Sequence, residues 1–296
     1  MKTLPYFCLL LDCFLRFSPS FSQPFVQTFH DFEPNLGIDG LIDFGFGVST
    51  SVNGDWAVVG ATSSYDVNGG NFRELAGAAY LYHRNPKFGW NFFQKIVPTD
   101  RSTRDLFGDQ VAIYQDHLIV SAIWDDDPGS PISQQKGSIY LFGLDTAGVW
   151  QEAQKLLASD ASDGDYFGEA IDLGAGVAMV GVPRKDFDAG GGSIFAESGA
   201  VYVFTQDNSG LWSETQKLLP ITMNSFDQFG TSVSIQGEWA AVGVPREDQD
   251  AQGNILTDAG AVYLYQRDSS SSWQLYQLGL SCFTYLPPAR NWSSKQ

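Results

Sequence analysis

The chain has 296 residues, of which 43% are hydrophobic, 14% are aromatic and 31 are glycine. This composition is typical of a globular protein built from many short strands joined by tight turns. The formal net charge of −17 argues against nucleic acids and anionic membrane surfaces as partners, because few basic side chains are available to neutralise phosphates.

The first 22 residues have the pattern of a signal peptide. Lys2 supplies the charged start, an apolar stretch runs from Leu4 to Leu15, and Ser20-Phe21-Ser22 forms a small-x-small cleavage site before Gln23. We therefore expect a secreted protein. The apolar stretch is too short to span a bilayer, and no later run approaches about 18 apolar residues, so we expect no transmembrane segment.

Three sequence blocks recur four times in the same order. The first block is a Phe-Gly pair, whose copies are 61, 60 and 62 residues apart. The second block, Gly-x-x-Tyr, begins 30 to 32 residues after each Phe, and the third block has Trp four residues before Gln. The blocks begin at Phe46, Phe107, Phe167 and Phe229, at Gly77, Gly137, Gly199 and Gly260, and at Trp90, Trp150, Trp212 and Trp273.

Each copy predicts four strands. After Phe-Gly, apolar residues alternate with small or polar ones, as from Val111 to Ile113, which is the period of a strand. A turn such as Asn53-Gly54-Asp55 follows, and an apolar run such as Trp56 to Val59 predicts a strand buried on both faces. The second and third blocks are the remaining strands. The repeat therefore predicts an all-β fold, a β-propeller with four-stranded antiparallel blades.

Phe-Gly followed by a strand that ends in Gly-Ala-Thr or Gly-Val-Pro resembles the FG-GAP repeat, which forms the N-terminal β-propeller of integrin α subunits. The resemblance covers residues 44–278 and implies the propeller fold. It leaves the function open, because this propeller hosts adhesion, carbohydrate-binding and enzyme-accessory roles.

The integrin-type calcium loop between the first two strands is missing from this chain. The corresponding turns, such as Gly174-Ala175-Gly176, cannot supply the roughly 6–8 oxygen ligands that calcium prefers.

Pairs of acidic or amide residues recur in the long loop between the second and third strands, each followed closely by glycine. These oxygens could surround a calcium ion, and the alternative is an ordinary solvated loop. The candidate metal ligands are Asp66, Asn68, Asp125, Asp127, Asp186, Asp188, Asp248 and Asp250.

No arrangement typical of an active site is present in the sequence. The three histidines are scattered, and His117 stands where the other copies have Trp56, Val177 and Trp239. No nucleophile elbow, zinc-binding helix or phosphate-binding glycine loop occurs. We therefore expect no catalysis by the chain itself, and calcium is the one cofactor that the sequence suggests.

The predicted organisation is a signal peptide (1–22), a propeller (23–278) with repeats at 46–106, 107–166, 167–228 and 229–278, and an unrelated tail (279–296). Two interpretations stay open. Either four blades close a small ring, or the chain is an incomplete part of a larger propeller, which in this family usually has seven blades. The sequence does not determine the oligomeric state.

Taken together, these features predict a secreted or cell-surface module for binding or adhesion, which holds a protein or carbohydrate partner through propeller loops. The alternative function is that of an accessory propeller of a secreted hydrolase, or of a fragment of a larger enzyme.

Overall fold

A computed structural model describes residues 45–63, 74–126, 134–188, 194–248 and 257–280. The chain divides into two units, Met1–His30 and Asp31–Gln296, and every described residue belongs to the second unit. The predicted signal peptide lies outside the described residues.

The first two repeats each form a four-stranded antiparallel sheet, here called a blade, with its strands side by side in chain order. Blade 1 contains β1 (Phe46–Asn53), β2 (Trp56–Ala61), β3 (Ala78–Asn85) and β4 (Gly89–Ile96). Blade 2 contains β5 (Phe107–Tyr114), β6 (His117–Ala122), β7 (Ser138–Leu144) and β8 (Trp150–Leu156).

The last two repeats form blades of the same kind. Blade 3 begins with β9 (Ala170–Gly174) and β10 (Val177–Val182), continues through a short hairpin of β11 (Phe187–Asp188) and β12 (Ile194–Phe195), and ends with β13 (Ala200–Gln206) and β14 (Trp212–Leu218). Blade 4 contains β15 (Ser232–Gln236), β16 (Trp239–Val244), β17 (Ala261–Arg267) and β18 (Trp273–Leu280). The described residues contain no helix, and the predicted all-β fold of four-stranded blades is confirmed.

The middle strands of the blades form the core. Every residue of β10 is buried, because the sheet packs against a neighbouring blade on each face. This explains the near-continuous apolar runs that the sequence shows at the second strands. The fourth strands are edge strands, and β8 and β14 accordingly begin and end with a buried residue but contain exposed and half-buried residues between.

Consecutive blades pack through their first strands. β5 contacts β1 on one side and β9 on the other, and β9 contacts β15. The order of the blades in space is therefore their order in the chain, as expected for repeats that contact only their neighbours.

The Phe-Gly pairs of blades 2, 3 and 4 are each held against the blade before. Phe107 N donates to Ala76 O at 3.2 Å, and Phe229 N donates to Ser198 O at 3.0 Å. The chain approaches so closely there that a Cβ on Gly199 would lie 2.1 Å from Phe229 O. We call the receiving position the Phe-Gly seat of a blade: the small residue near the end of its second strand and the glycine before its third strand.

A reciprocal pair of hydrogen bonds joins the outer strands. Gln94 Nε2 donates to Trp150 O at 2.8 Å, while Trp150 N donates to Gln94 Oε1 at 3.0 Å. The same pair links Gln154 with Trp212, and Gln216 with Trp273. These bonds satisfy backbone groups of an edge strand that would otherwise be left without a partner. They explain why Gln recurs in the fourth strand of blades 1, 2 and 3.

Substitution of a seat glycine tests the close approach between blades. A Cβ on Gly181 would lie 2.0 Å from Gly230 O, a backbone atom that cannot move without separating blades 3 and 4. We expect Gly181→Ala to lower the free energy of unfolding by about 1–3 kcal/mol, as overpacking of a core does. Chemical denaturation measures this. Gly143→Ala is the matched control, because a Cβ there meets open space, and a loss as large as that of Gly181→Ala would contradict the interpretation.

Candidate functional site

Long loops between the second and third strands leave every blade at the same end, opposite the tight turns between the first two strands. Connections longer than about 12 residues are uncommon in compact domains and often carry function. The loops connect Ala61 with Ala78, Ala122 with Ser138, Val182 with Ala200, and Val244 with Ala261.

One aspartate holds the two ends of each loop together in blades 2, 3 and 4. Asp126 Oδ1 accepts a hydrogen bond from Gln134 N at 2.7 Å. Asp186 Oδ1 accepts from Glu197 N at 2.9 Å, and Asp248 Oδ1 accepts from Asp258 N at 2.8 Å. The described ends of these three loops are therefore fixed in the same way.

The residue before this aspartate is buried in all three blades, but its chemistry differs. In blade 3 it is Lys185, whose Nζ lies 2.7 Å from Asp165 Oδ2 and donates to Asp160 O at 2.6 Å. Lys217 Nζ contacts the Asp160 carboxylate at 2.7 Å, and the Tyr202 hydroxyl donates to it as well. Although burial opposes it, the hydrogen bonds from Lys217 and Tyr202 lower the pKa of Asp160.

Blade 2 has an aspartate at the same buried position. Asp125 Oδ2 lies 2.6 Å from Lys155 Nζ and accepts a hydrogen bond from Ser138 Oγ. Lys155 also contacts Asp100 at 2.7 Å, and the Tyr140 hydroxyl lies between the two carboxylates. One lysine therefore pairs with two carboxylates. Although burial opposes it, the hydrogen bonds to these two carboxylates raise the pKa of Lys155.

Blade 4 fills the position with Glu247, and the described residues there include no lysine partner. Glu247 Oε2 accepts from the Tyr263 hydroxyl at 2.7 Å, and Oε1 accepts from Thr222 Oγ1 at 3.1 Å. The nearby Asp227 is also buried and accepts from Asn224 Nδ2 at 3.0 Å. Burial raises the pKa of Asp227 to about 6, and the negative charges of Glu247 and Asp248 add to the rise.

A polar cleft of about 320 Å³ opens at the loop end of blade 3, lined by residues 162–165, 184–186 and 197. Its two cations are already paired: Lys185 with Asp165, and Arg184 with Glu169 at 2.8 Å. The carboxylates of Asp163 and Asp186 are exposed. The cleft is therefore a negative surface suited to basic groups.

The structure describes three of the predicted metal ligands fully. Asp125 is held by Lys155, whereas Asp186 and Asp248 anchor their loops. Asp66, Asn68, Asp127 and Asp250 lie outside the described residues, as does the side chain of Asp188. Among the described residues, no three His, Cys, Asp or Glu side chains converge as a metal site would require. Calcium binding stays a prediction.

The structure corrects which aspartates of the loops are equivalent between blades. The sequence groups Asp125 with Asp186 and Asp248, but by its hydrogen bonds Asp126 is the equivalent of those two residues. Counting from Phe-Gly would have found this, because Asp126, Asp186 and Asp248 each lie 19 residues after the Phe. Lys185 has no such signal, since the same position holds Asp125 and Glu247 elsewhere.

A protein-family model matches the repeats of this chain. The model described as FG-GAP repeat matches residues 90–142, 150–204 and 212–265, which is more than half of the chain. The chain belongs to the FG-GAP repeat family. Each matched segment runs from the last strand of one blade to the third strand of the next, so the FG-GAP match spans all three blade junctions.

Other comparisons add little to the FG-GAP assignment. No curated protein matches the sequence. Similar solved structures include the crystal structure of the computationally designed Ika4 protein, at 8% identity and a TM-score of 0.39, over 75% of this chain and 90% of that chain. That TM-score is too low to show a shared fold. Among the described residues of this FG-GAP protein, no helix is long and apolar enough to cross a membrane.

Calorimetric titration of calcium chloride into the full chain tests the metal prediction. Calcium bound by the blade 3 loop would release heat and raise the melting temperature, because a ligand that binds only the folded chain stabilises it. We expect Asp186→Ala to abolish both signals and Glu238→Ala, at the tight-turn end of blade 4, to keep them. A wild-type chain that shows neither heat nor a thermal shift would contradict calcium binding.

The raised pKa of Asp227 predicts an unusual pH dependence. Its ordinary value is 3.8, so the folded chain holds this proton more tightly than the unfolded chain. The resulting stabilisation is complete below about pH 4 and is lost as the pH rises through about 6. Asn does not titrate, so Asp227→Asn lacks this loss. We therefore expect the melting temperature of Asp227→Asn minus that of wild type to increase between pH 4 and pH 7. Parallel pH profiles of the two proteins would refute this.

Proposed function

We propose that this chain is a secreted, non-catalytic module that binds a protein partner at the loop end of its blades. FG-GAP propellers are generally non-catalytic binding modules, and three segments of this chain match the family model. The single observation that carries the proposal is the set of long loops, anchored at Asp126, Asp186 and Asp248, at one end of consecutive blades.

The charge of this surface supports a partner with exposed lysine or arginine. The cleft of blade 3 keeps the exposed carboxylates of Asp163 and Asp186, whereas Arg184 and Lys185 are paired. The whole chain carries a net charge of −17, so a basic partner is also attracted from a distance. Adhesion at a cell surface is one setting in which such a module would act.

Selection from a peptide library displayed on phage tests this function, with the full chain as the target. We expect the enriched peptides to be rich in Lys and Arg, and their binding to weaken at high salt because the attraction is screened. Asp163→Lys should reduce binding at least about tenfold, because a like charge in the cleft repels the partner.

Glu238→Lys is the matched control, since it makes the same change of charge on an exposed residue at the opposite end of a blade. A glycan array probed in parallel distinguishes a carbohydrate ligand. Enrichment that Asp163→Lys leaves unchanged, or binding to the glycan array alone, would contradict a protein partner at this surface.

A further inference from the structure

The Phe-Gly seat of blade 4 receives no Phe-Gly pair from the described chain. In blade 3, a Cβ on Gly181 or Gly199 would meet backbone atoms of blade 4. Gly243 and Gly260 hold the same positions in blade 4, and among the described residues a Cβ on either would meet only atoms of blade 4 itself. A cavity of about 600 Å³ lies over them.

The same face of blade 4 exposes large apolar side chains. Trp239 and Val262 are each 43% exposed. Their counterparts in the other blades contact the following blade: the Trp56 ring lies 5.4 Å from that of Trp150, and Val201 lies against the backbone of Gly230. Exposed apolar faces of this kind mark interaction surfaces.

Polar groups on this face repeat those that join blades 1 and 2. Ser49 Oγ donates to Gly108 O at 2.9 Å, and Ser51 Oγ accepts from Ile113 N at 3.2 Å. Blade 4 has the exposed Ser232 and Ser234 at these two positions.

Gln277, the fourth member of the Gln-Trp series, is also exposed. Within the part of the chain that the structure describes, no Trp backbone pairs with its amide. The face of blade 4 is thus equipped for one more junction of the established kind.

The complementary half of that junction is exposed on blade 1. A Cβ on Gly47 would meet no described atom within 4 Å, whereas Gly108 and Gly230 sit in the seats of the preceding blades. Val48 is 49% exposed and Val52 is 64% exposed. Ile113, which holds the place of Val52 in blade 2, is only 5% exposed because blade 1 covers it.

We propose that the open face of blade 4 binds blade 1 of a second copy of this chain, with Phe46-Gly47 in the empty seat. Each copy has both the blade 4 face and the blade 1 face. Two copies that form this junction twice therefore cover both faces of both copies. Contacts of this head-to-tail type close into a ring when the rotation between copies allows it. The proposal is independent of partner binding at the loops, which lie at the ends of the blades rather than on their faces.

Sedimentation velocity of the purified full chain over a concentration series tests this assembly. We expect a dimer in the micromolar range. Val262→Arg on blade 4 and Val52→Arg on blade 1 should each weaken the dimer at least about 100-fold, because each buries an unpaired charge in the junction. Both residues are exposed within one copy, so the variants should still fold, which circular dichroism checks.

Leu211→Arg is the matched control, since Leu211 is 56% exposed in a turn of blade 3 away from both faces, and its dimer should persist. Three results would overturn the proposal. They are a wild-type chain that stays monomeric at every concentration, a dimer that Val262→Arg and Val52→Arg leave intact, and assembly beyond two copies.

Discussion

The structure depends on the close approach of backbones at the Phe-Gly seat. A single four-stranded sheet with two apolar faces cannot bury them alone, so each blade needs a neighbour on each side. The approach requires that no side chain intervene, and Gly181 meets that need against the carbonyl of Gly230. Because the seat fixes one blade on the next, it also sets which outer strands meet.

The junctions share this backbone contact but differ in their buried polar groups. Eighteen residues after each Phe, three blades carry Asp125, Lys185 and Glu247, all buried. Burying a charge is costly unless it is paired and hydrogen-bonded, and each of these side chains contacts a different set of partners. Asp125 forms an ion pair with a lysine, and Lys185 forms ion pairs with two aspartates. Glu247 accepts hydrogen bonds from two hydroxyl groups. The fold therefore tolerates either sign of charge at one position, provided that its neighbours change with it.

Faces and ends of the blades serve different purposes in this chain. The faces are apolar, contain the seats and hold copies of one unit together. The ends carry loops whose exposed groups are charged, such as Asp163 and Asp186 in blade 3. A partner at the loop end and a further blade on an open face would therefore bind without competing. This separation follows from the architecture, in which packing uses sheet faces and leaves the loops to vary.

The sequence by itself determined the four strands of each blade and the four copies of the blade, because strand alternation and Phe-Gly spacing are local properties. It also contained the equivalence of Asp126, Asp186 and Asp248 in their common distance from the Phe, whereas their anchoring role appears only in the hydrogen bonds. Only the tertiary structure decided which carboxylates are paired with a cation, since Lys155 reaches Asp125 from another strand and also contacts Asp100, which lies between blades 1 and 2. It alone showed that no Phe-Gly pair among the described residues occupies the seat at Gly243, because whether a glycine faces another backbone depends on which blade lies beside it, and not on the residues next to it in the chain.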